Sequence, residues 1–251
     1  QVLMVGDPGQ ISPVVTGDTS RWAHYRAAPH RPAPQALMAV AGDDVTHLRL
    51  PATCRLGPVT TALIQPLYGF GFASTRPPRA YLAPGSDRPE PEVALRSVVS
   101  HGGADDPALA DAVAARVREV LGGVVRDADG DERPLGQSDV AVICAHVSQV
   151  TAVQARLGSE FPGVMIDTTE RHQGLEHEVV VLWLPLAGAR GLSAFALDTG
   201  RLCVGLSRHR CHLSIVTRHD TRAVLDAAGP DADAEATRRY QAVLDAIAAL
   251  G

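Results

Sequence analysis

Short unbroken apolar runs alternate along most of the chain with longer stretches in which apolar residues recur at helical spacing. The apolar runs, which are typical of buried strands, cover residues 139–145, 164–167, 178–186 and 212–217. The stretches with helical spacing predict helices at 105–123, 148–158, 199–210, 220–229 and 233–251. Strands that alternate with helices form βαβ units with right-handed crossovers. The pattern therefore predicts an α/β fold with a mainly parallel sheet flanked by helices.

The stretch 105–123 has the clearest helical pattern. Asp106 is suited to the N-cap position, and Pro107 to the first helical position, where a missing N–H costs nothing. One face of this helix carries the apolar residues Leu109, Val113, Val117, Val120 and Leu121. We therefore expect that face to pack against the sheet.

Other segments carry weaker or more polar patterns. Residues 74–92 are rich in Pro and Arg and predict a surface loop or an insertion, and residues 127–138 predict a polar loop. A helix is predicted over 58–69, where Pro66 disturbs the end, and the helical pattern over 33–42 is weak.

The chain begins with an apolar run, QVLMV, followed by the turn-rich sequence GDPGQ. The run predicts a strand over residues 1–5 that stops at the turn. Such a strand delivers Asp7 and Gln10 to its C-terminal tip, which is where open α/β sheets bind ligands. Because a domain rarely begins with its own central strand, we expect the chain to have been cut out of a longer protein.

Composition excludes several classes of protein. The chain has 251 residues, 45% of them apolar, which is enough for one large domain or one domain plus a fragment. No apolar run approaches the roughly 20 residues that a membrane span needs. All 23 basic residues are Arg, so a phosphate loop that ends in Gly-Lys-Ser/Thr is not present in this chain. The net charge of −5 argues against a broad basic surface for nucleic acid but leaves room for a local groove lined by Arg.

The cysteines do not predict a metal site. There are four, Cys54, Cys144, Cys203 and Cys211, and none has the paired spacing of a zinc site. His209, Cys211 and His212 are close in sequence, but strand alternation would split them between faces. Cys144 and Cys203 lie in apolar stretches and are predicted to be small core residues. Reduced thiols of this kind indicate a cytoplasmic location.

Four segments, in order, resemble the C-terminal motifs of superfamily 1 helicases. VGDPGQISPV is similar to motif III, and LRLPATCRLGPVTTALIQPLYG to a motif IV-type segment. IDTTERHQGLEHEVVVLWL is similar to motif V, and GRLCVGLSRHRCHLSIV to motif VI. The most similar branch is that of the nonsense-mediated-decay RNA helicase and its bacterial relatives. The resemblance implies a RecA-like fold of the P-loop NTPase type.

The resemblance also divides the chain and implies partners. Residues 1–45 correspond to a remnant of the first RecA-like domain with a linker, and residues 46–251 to the second domain. The implied partners are the missing N-terminal RecA-like domain and a single-stranded nucleic acid, either DNA or RNA, with no membrane. The implied cofactor is ATP with Mg²⁺, bound mainly by groups of the missing domain.

The family motifs assign catalytic roles to three residues. Arg55 and Arg208 would reach ATP from the second domain, and Gln10 would contact the γ-phosphate or the attacking water. Arg suits this role because it is always charged and its planar fork grips two oxygens. In the transition state of ATP hydrolysis, negative charge spreads over the γ-phosphate oxygens, and arginine side chains stabilise that charge.

Other residues are assigned to binding by the same motifs. Asp7, Gly174 and Glu176 would belong to the nucleotide site, with Glu176 accepting a hydrogen bond from the ribose and Gly174 leaving room for close backbone approach. A second group, Gln149, Thr168 and Gln173, would face the backbone of the nucleic acid. Hydroxyl and amide donors fit this contact, since such groups commonly bind phosphate.

Several positions depart from the family pattern. His172 stands where Phe is usual, and Cys54 where Tyr is usual. Gly205 and His209 stand where Ala is usual, and Ser207 replaces Thr. None of these changes removes a proposed catalytic group, so they concern the packing behind motifs V and VI, where His172 is predicted to be a packing residue.

Plainer interpretations stay open for the site residues. Asp7 and Gln10 would also serve to cap a turn, and Arg208 and Arg210 would also suit the C-terminal end of a helix, where they answer its dipole. The leading function is the C-terminal motor part of an ATP-dependent helicase or translocase, inactive alone because it lacks the phosphate loop. The alternatives are a non-catalytic or regulatory helicase-like module and an ATPase switch that does not unwind.

Overall fold

The computed structural model describes residues 3–7, 10–11, 15, 17–189, 191–229 and 233–250. Ten strands lie within these residues: β1 Ala52–Thr53, β2 Ala73–Ser74, β3 Ala80–Leu82, β4 Val93–Val98, β5 Val124–Arg126, β6 Glu132–Pro134, β7 Val140–Cys144, β8 Met165–Thr168, β9 His177–Trp183 and β10 His209–Arg218. Seven α-helices lie there too: α1 Ala33–Ala41, α2 Pro58–Ile64, α3 Pro107–Val120, α4 Val147–Leu157, α5 Thr199–Leu206, α6 Thr221–Asp226 and α7 Ala234–Ala248. Single 3-10 turns occupy Ser20–Trp22, Gly42–Asp44, Gln65–Leu67 and Gln137–Asp139.

Five parallel strands in the order β4-β10-β9-β7-β8 form the central sheet. The middle strands are buried almost throughout, as expected for a parallel sheet that is covered by helices. Helices α3 and α4 pack against each other and against the sheet, while α2, α5 and α7 pack against one another. The predicted α/β fold with a mainly parallel sheet is therefore confirmed, and Cys144 and Cys203 are buried in its core as predicted.

Two small sheets lie beside the central one. Strands β1 and β2 form a parallel pair, and β3, β5 and β6 form an antiparallel sheet. The prediction of loops over 74–92 and 127–138 is therefore wrong at β3 and β6. All three residues of β6 are exposed, so no apolar pattern marks the strand. Pairing with β5 and the 2.7 Å hydrogen bond from Arg126 Nε to Glu132 Oε1 stabilise it instead.

The edge strand β4 has no counterpart in the predicted elements. Its residues alternate between more buried and more exposed positions, because successive side chains of a strand point to opposite faces of the sheet and only one face is well covered here. Such alternation breaks the apolar run that marked the inner strands. The parallel register runs from Leu213 opposite Val93 to Arg218 opposite Val98.

The helix predicted over 199–210 ends earlier in the structure than predicted. Helix α5 ends at Leu206, and β10 begins at His209, so the strand is longer than the predicted 212–217. Pairing of β10 with both β9 and β4 overrides the local helical spacing. As a consequence, Arg208 lies in the turn between helix and strand.

The strand predicted over residues 1–5 is not formed in the part of it that is described. Leu3 and Val5 are 87% and 89% exposed, and no strand of the described chain lies beside them. A strand needs a neighbour for its N–H and C=O groups. Residues 1 and 2 lie outside the described residues. The division of the chain near residue 45 and its origin in a longer protein stay predictions.

None of the helices in the described residues is long and apolar enough to cross a lipid bilayer. The longest of them, α7 with 15 residues, buries one face and exposes the other. Its buried residues Tyr240, Val243 and Ile247 follow the spacing of a single helix face.

Asp106 caps α3 as predicted, and it should contribute measurably to stability. Its side chain accepts hydrogen bonds from the main-chain N–H groups of Ala108 and Gly102 and from Ser100 Oγ. Burial alone raises the pKa of Asp106, but these hydrogen bonds outweigh it and hold the pKa below its ordinary value. We expect Asp106→Ala to lower the free energy of unfolding by about 1–3 kcal/mol at pH 7 in urea titrations.

The same measurement has a defined pH dependence. A carboxyl whose folded pKa is depressed stabilises the fold above its unfolded pKa, and that contribution is lost as pH falls through the folded pKa. The difference between wild type and Asp106→Ala should therefore shrink below about pH 4. Asp111→Ala, which removes an exposed carboxylate from the same helix, is the control. Equal effects of the two variants would contradict the capping role.

Candidate functional site

Residues from three distant parts of the chain meet beside the N-terminal ends of β9 and β10. Arg55 follows β1, Glu176 precedes β9, and Arg210 lies near the start of β10. Arg55 Nη1 lies 3.6 Å from Glu176 Oε1, and Arg210 Nε donates to Glu176 Oε2 at 2.9 Å. Two sequence-predicted site residues, Arg55 and Glu176, are thus in direct contact.

A pocket of about 470 Å³ opens at this contact, and we call it the arginine pocket. Its lining residues are Cys54, Arg55, Arg76, Pro77, Arg79, Asp127, Ala128, Asp129, Glu176 and Arg210. Four of them carry a guanidinium group, so the pocket offers many N–H donors to an anion. The tip of the β5–β6 hairpin supplies the two aspartates.

Of the four pocket arginines, the sequence predicted only Arg55 as a site residue and missed Arg76, Arg79 and Arg210. The side chain of Arg76 is 7% exposed, and its Nε and Nη1 atoms have no hydrogen-bond partner among the described residues. Arg79 Nη2 lies 3.4 Å from the buried carboxylate of Glu178. The signal for Arg76 and Arg79 was the Arg content of the stretch 74–92, which was interpreted as a surface loop.

Arg208 is a buried arginine that forms no ion pair with a carboxylate among the residues the structure describes. It is 1% exposed, its Nη2 donates to Ser207 Oγ at 2.9 Å, and its Nε has no hydrogen-bond partner in the described chain. No described carboxylate lies within ion-pair distance of it. Burial, and then the positive charge of Arg55, lower the pKa of Arg208 from its ordinary value. Taking a charge out of water without a partner is costly.

The plainer interpretation of Arg208 and Arg210 as a pair at a helix end does not fit. Both residues lie beyond the end of α5, and Arg208 is buried whereas Arg210 is exposed and paired with Glu176. The two arginines therefore have different surroundings and different roles. The Nε atom of Arg208, which has no hydrogen-bond partner among the described residues, is the donor that an anion would use.

Asp7 contacts Tyr68, and Gln10 lies against α5. Gln10 Nε2 donates to Asp7 Oδ2 at 3.0 Å, and Tyr68 Oη donates to the same oxygen at 2.8 Å. Tyr68 Oη is also 3.1 Å from Cys203 Sγ, and burial followed by the proximity of Cys203 raises the pKa of Tyr68. This chain of contacts links Asp7 to α5, the helix that leads to Arg208.

Gly200 explains how the Gln10 segment can approach α5 so closely. A Cβ atom at Gly200 would lie 2.8 Å from the carbonyl carbon and oxygen of Gln10. Any larger residue would push the segment away. The main-chain N–H of Gln10 also lies 3.3 Å from Asp7 O, so the turn-capping interpretation of these two residues is compatible with the same geometry.

Gly174 is required by backbone conformation. Its φ is 87°, in the region that residues with a side chain rarely adopt, and a Cβ there would meet no atom within 4 Å. The space around Gly174 is therefore open, and its role in a nucleotide site stays a prediction. The turn that it closes leads directly to Glu176 and β9.

The residues expected to face nucleic acid differ in position and burial. Thr168 ends β8 at the opposite end of the sheet and is half-buried, whereas Gln173 is exposed and directly precedes Gly174 in the segment that leads to Glu176. Gln149 is fully buried: its Oε1 accepts from the main-chain N–H groups of Ala145 and His146, and its Nε2 donates to Ala104 O at 2.8 Å. The expectation that Gln149 itself contacts nucleic acid is therefore corrected, because its amide is used to hold the start of α4.

The histidines that depart from the family pattern are packing residues. His172 is fully buried, with Nε2 3.2 Å from Val142 O, and burial, then the nearby His177, lower its pKa to about 4. His209 is also fully buried, its Nε2 lies 2.7 Å from Thr60 Oγ1, and burial lowers its pKa to about 3. Neither ring is available to a ligand in the pocket.

Comparisons with known proteins gave matches over part of the chain. A family model described as an AAA domain matches residues 110–220, less than half of the chain, running from within α3 to the end of β10. Among solved structures, the C-terminal domain of a possible DNA helicase from Lactobacillus plantarum WCFS1 is 18% identical, with a TM-score of 0.32, over 51% of this chain and 73% of that one. No curated protein matches the chain. Nothing in these matches singles out the nonsense-mediated-decay branch.

The unpaired charge of Arg208 generates a stability prediction. We expect Arg208→Met to leave the free energy of unfolding within about 1 kcal/mol of wild type or to raise it, because a buried charge without a partner does not stabilise a fold. Arg116 is the matched control, since it is 4% exposed but is bound to Glu90, Glu119 and Ser214. Arg116→Met should cost at least about 2 kcal/mol in urea titrations. An equal loss in both variants would show that Arg208 serves the fold.

Proposed function

We propose that this chain is the second motor domain of an ATP-dependent nucleic-acid helicase or translocase. In this proposal it acts on ATP that is held by a separate RecA-like domain carrying the phosphate loop. The observation that carries the proposal is Arg208, which is 1% exposed and has no carboxylate at ion-pair distance among the described residues. Because Arg55 is already paired with Glu176, Arg208 is the arginine of the two whose charge an added anion would balance.

Phosphoryl transfer is a reaction in which Arg55 and Arg208 would have a defined role. Negative charge develops on the equatorial oxygens of the transferred γ-phosphoryl group, and preorganised cations stabilise it. Arg208 is held rigidly by burial and by its bond to Ser207, while Arg55 is held by Glu176. Both guanidinium groups would therefore be in place before the reaction, so no reorganisation is needed as charge develops.

The donor set of the arginine pocket fits a nucleotide polyphosphate. Arg55 and Arg76 each keep at least one buried nitrogen without a partner among the described residues. Glu176 is 29% exposed beside them and is the proposed hydrogen-bond acceptor for the ribose, while it also positions Arg55 and Arg210. The Mg²⁺ that accompanies ATP would be held by the phosphate-loop domain and would neutralise phosphate charge there.

Nucleic acid would bind along the segment that runs on from the end of β8. Thr168 is the last residue of β8 and Gln173 lies in the segment that follows, and they offer a hydroxyl and an amide to phosphate oxygens. Gln149 enters the proposal as a positioning residue that fixes the loop between β7 and α4. The substrate class is a single-stranded nucleic acid.

The two arginines should act mainly in the transition state. In a protein that joins this chain to its phosphate-loop domain, Arg55→Ala or Arg208→Ala should lower kcat about a hundredfold or more with little change in ATP affinity. Arg118→Ala, which removes an arginine paired with Glu160 on the surface, is the matched control. The measurement is steady-state ATP hydrolysis with single strands present, together with equilibrium binding of a non-hydrolysable ATP analogue.

The 251-residue chain alone should show no hydrolysis above a blank, because it contains no lysine for a phosphate loop. Turnover by the isolated chain that Arg208→Ala abolishes would refute the division of labour between two domains. Near-normal stimulated turnover in either arginine variant of the joined protein would refute the role of that arginine.

Gln10 should couple hydrolysis to nucleic-acid binding. Gln10 contacts Asp7 and packs against Gly200 at the start of α5, the helix that leads to Arg208. In this proposal the Gln10 segment belongs to the first domain, so the contact with α5 joins the two domains. An amide can orient a water and sense a phosphate, because it donates and accepts at once. In the joined protein, Gln10→Ala should reduce stimulation by single strands about tenfold, a barrier change of roughly 1.4 kcal/mol.

Gln10→Glu should be as impaired as Gln10→Ala or worse, since a carboxylate would face the phosphate. The measurement is ATPase rate against single-strand concentration for wild type and both variants. If the curves of wild type and both variants superimpose, Asp7 and Gln10 only form a turn, and the coupling role of Gln10 is refuted. Stimulated hydrolysis without strand separation in an unwinding assay would favour the ATPase switch over the helicase.

A further inference from the structure

Three side chains with metal-binding atoms meet at the C-terminal ends of β4 and β10. His101 follows β4, and His219 and Asp220 follow β10. Their ligand atoms all lie within 4.8 Å of one another, and no other such group occurs in the part of the chain that the structure describes. The two imidazole rings are 5.6 Å apart, centre to centre, at an angle of 83°.

The backbone around this group is fixed by the sheet. Val98 and Arg218 are the last paired residues of the two strands, and the His219 N–H donates to Val98 O at 3.0 Å. Arg218 then binds both sides of the group, since its Nη1 donates to Gly102 O at 2.7 Å and its Nε donates to Asp220 Oδ1. The segments that carry the three side chains are therefore held at a set distance.

Asp220 keeps binding capacity for a further partner. It stands at the N-cap position of α6, yet its side chain makes no capping hydrogen bond to that helix. Its Oδ1 atom is bound by Arg218, and no hydrogen bond to its Oδ2 atom is formed by the described residues. An N-cap aspartate ordinarily bonds the N–H groups of the first turn, so the side chain here is turned toward the histidines instead.

We propose that His101, His219 and Asp220 bind a divalent transition metal of the zinc class, with solvent completing the coordination. Two imidazole nitrogens and one carboxylate oxygen form a donor set that suits Zn²⁺, Co²⁺ or Ni²⁺ and does not suit Mg²⁺ or Ca²⁺, which prefer all-oxygen sites. Both imidazoles are exposed, so rotation about their side-chain bonds can bring each nitrogen to about 2.1 Å from the metal.

The bound metal would tie the loop after β4 to the turn before α6. This site is independent of the proposed ATP chemistry, because β10 runs from His209, next to Arg208, to Arg218, next to the metal group. Ten residues of strand separate the two ends by roughly 30 Å. Loss of metal binding should therefore leave the arginine pocket intact.

The test is calorimetric titration of the purified, untagged chain with ZnCl₂, repeated for His101→Ala and His219→Ala. We expect one site with a dissociation constant on the order of 1–100 µM, because a single carboxylate shared with Arg218 gives a moderate site. Each variant should weaken binding at least about tenfold. His47→Ala, which removes an exposed histidine elsewhere, is the control and should bind as wild type does.

Two further readouts separate this site from adventitious binding. Co²⁺ should give visible absorption bands that both histidine variants lose and His47→Ala keeps. Zn²⁺ at about a hundred times its dissociation constant should raise the melting temperature of wild type by at least about 5 °C, and of the two variants by much less. The proposal is overturned if Zn²⁺ does not bind, or if the His101 and His219 variants bind it as tightly as wild type.

Discussion

The common direction of the five central strands sets the placement of every candidate site in this molecule. Because all five run parallel, segments that precede strands gather at one end of the sheet and segments that follow strands gather at the other. Glu176 and Arg208 precede β9 and β10 at the first end, where Glu176 is paired with Arg55. At the second end lie Thr168, which ends β8, and the histidine pair after β4 and β10.

At the N-terminal end of the central sheet, the arrangement that would favour catalysis does not favour stability of the fold. The fold satisfies buried Arg116 with two carboxylates and a hydroxyl, yet it leaves Arg208, which is more deeply buried, bonded to a single serine side chain. The difference is explained if the missing partner of Arg208 is a phosphate supplied from outside the chain. Gly200 supports the same view, since it allows the segment carrying Gln10 to lie directly on α5.

The sequence predicted the presence of the inner strands because each contains a short, mainly apolar run. It did not predict β4, whose residues alternate at the edge, or β6, which is fully exposed. The end of α5 was missed because strand pairing of β10 overrides helical spacing. Among the predicted site residues, Arg55 and Glu176 are in contact, but the motifs could not reveal that Gln149 is buried, or that Arg76 reaches the pocket. Those outcomes depend on tertiary packing, which spacing does not report.

The central claim is that Arg55 and Arg208 complete a phosphoryl-transfer site on a second domain. The most direct measurement is a crystal structure of the joined protein with ADP and aluminium fluoride, which mimics the transferred phosphoryl group. The account predicts guanidinium nitrogens of both arginines within about 3 Å of the fluoride ligands. A structure with the mimic fully bound and both arginines more than about 6 Å away, too far for a hydrogen bond, would contradict it.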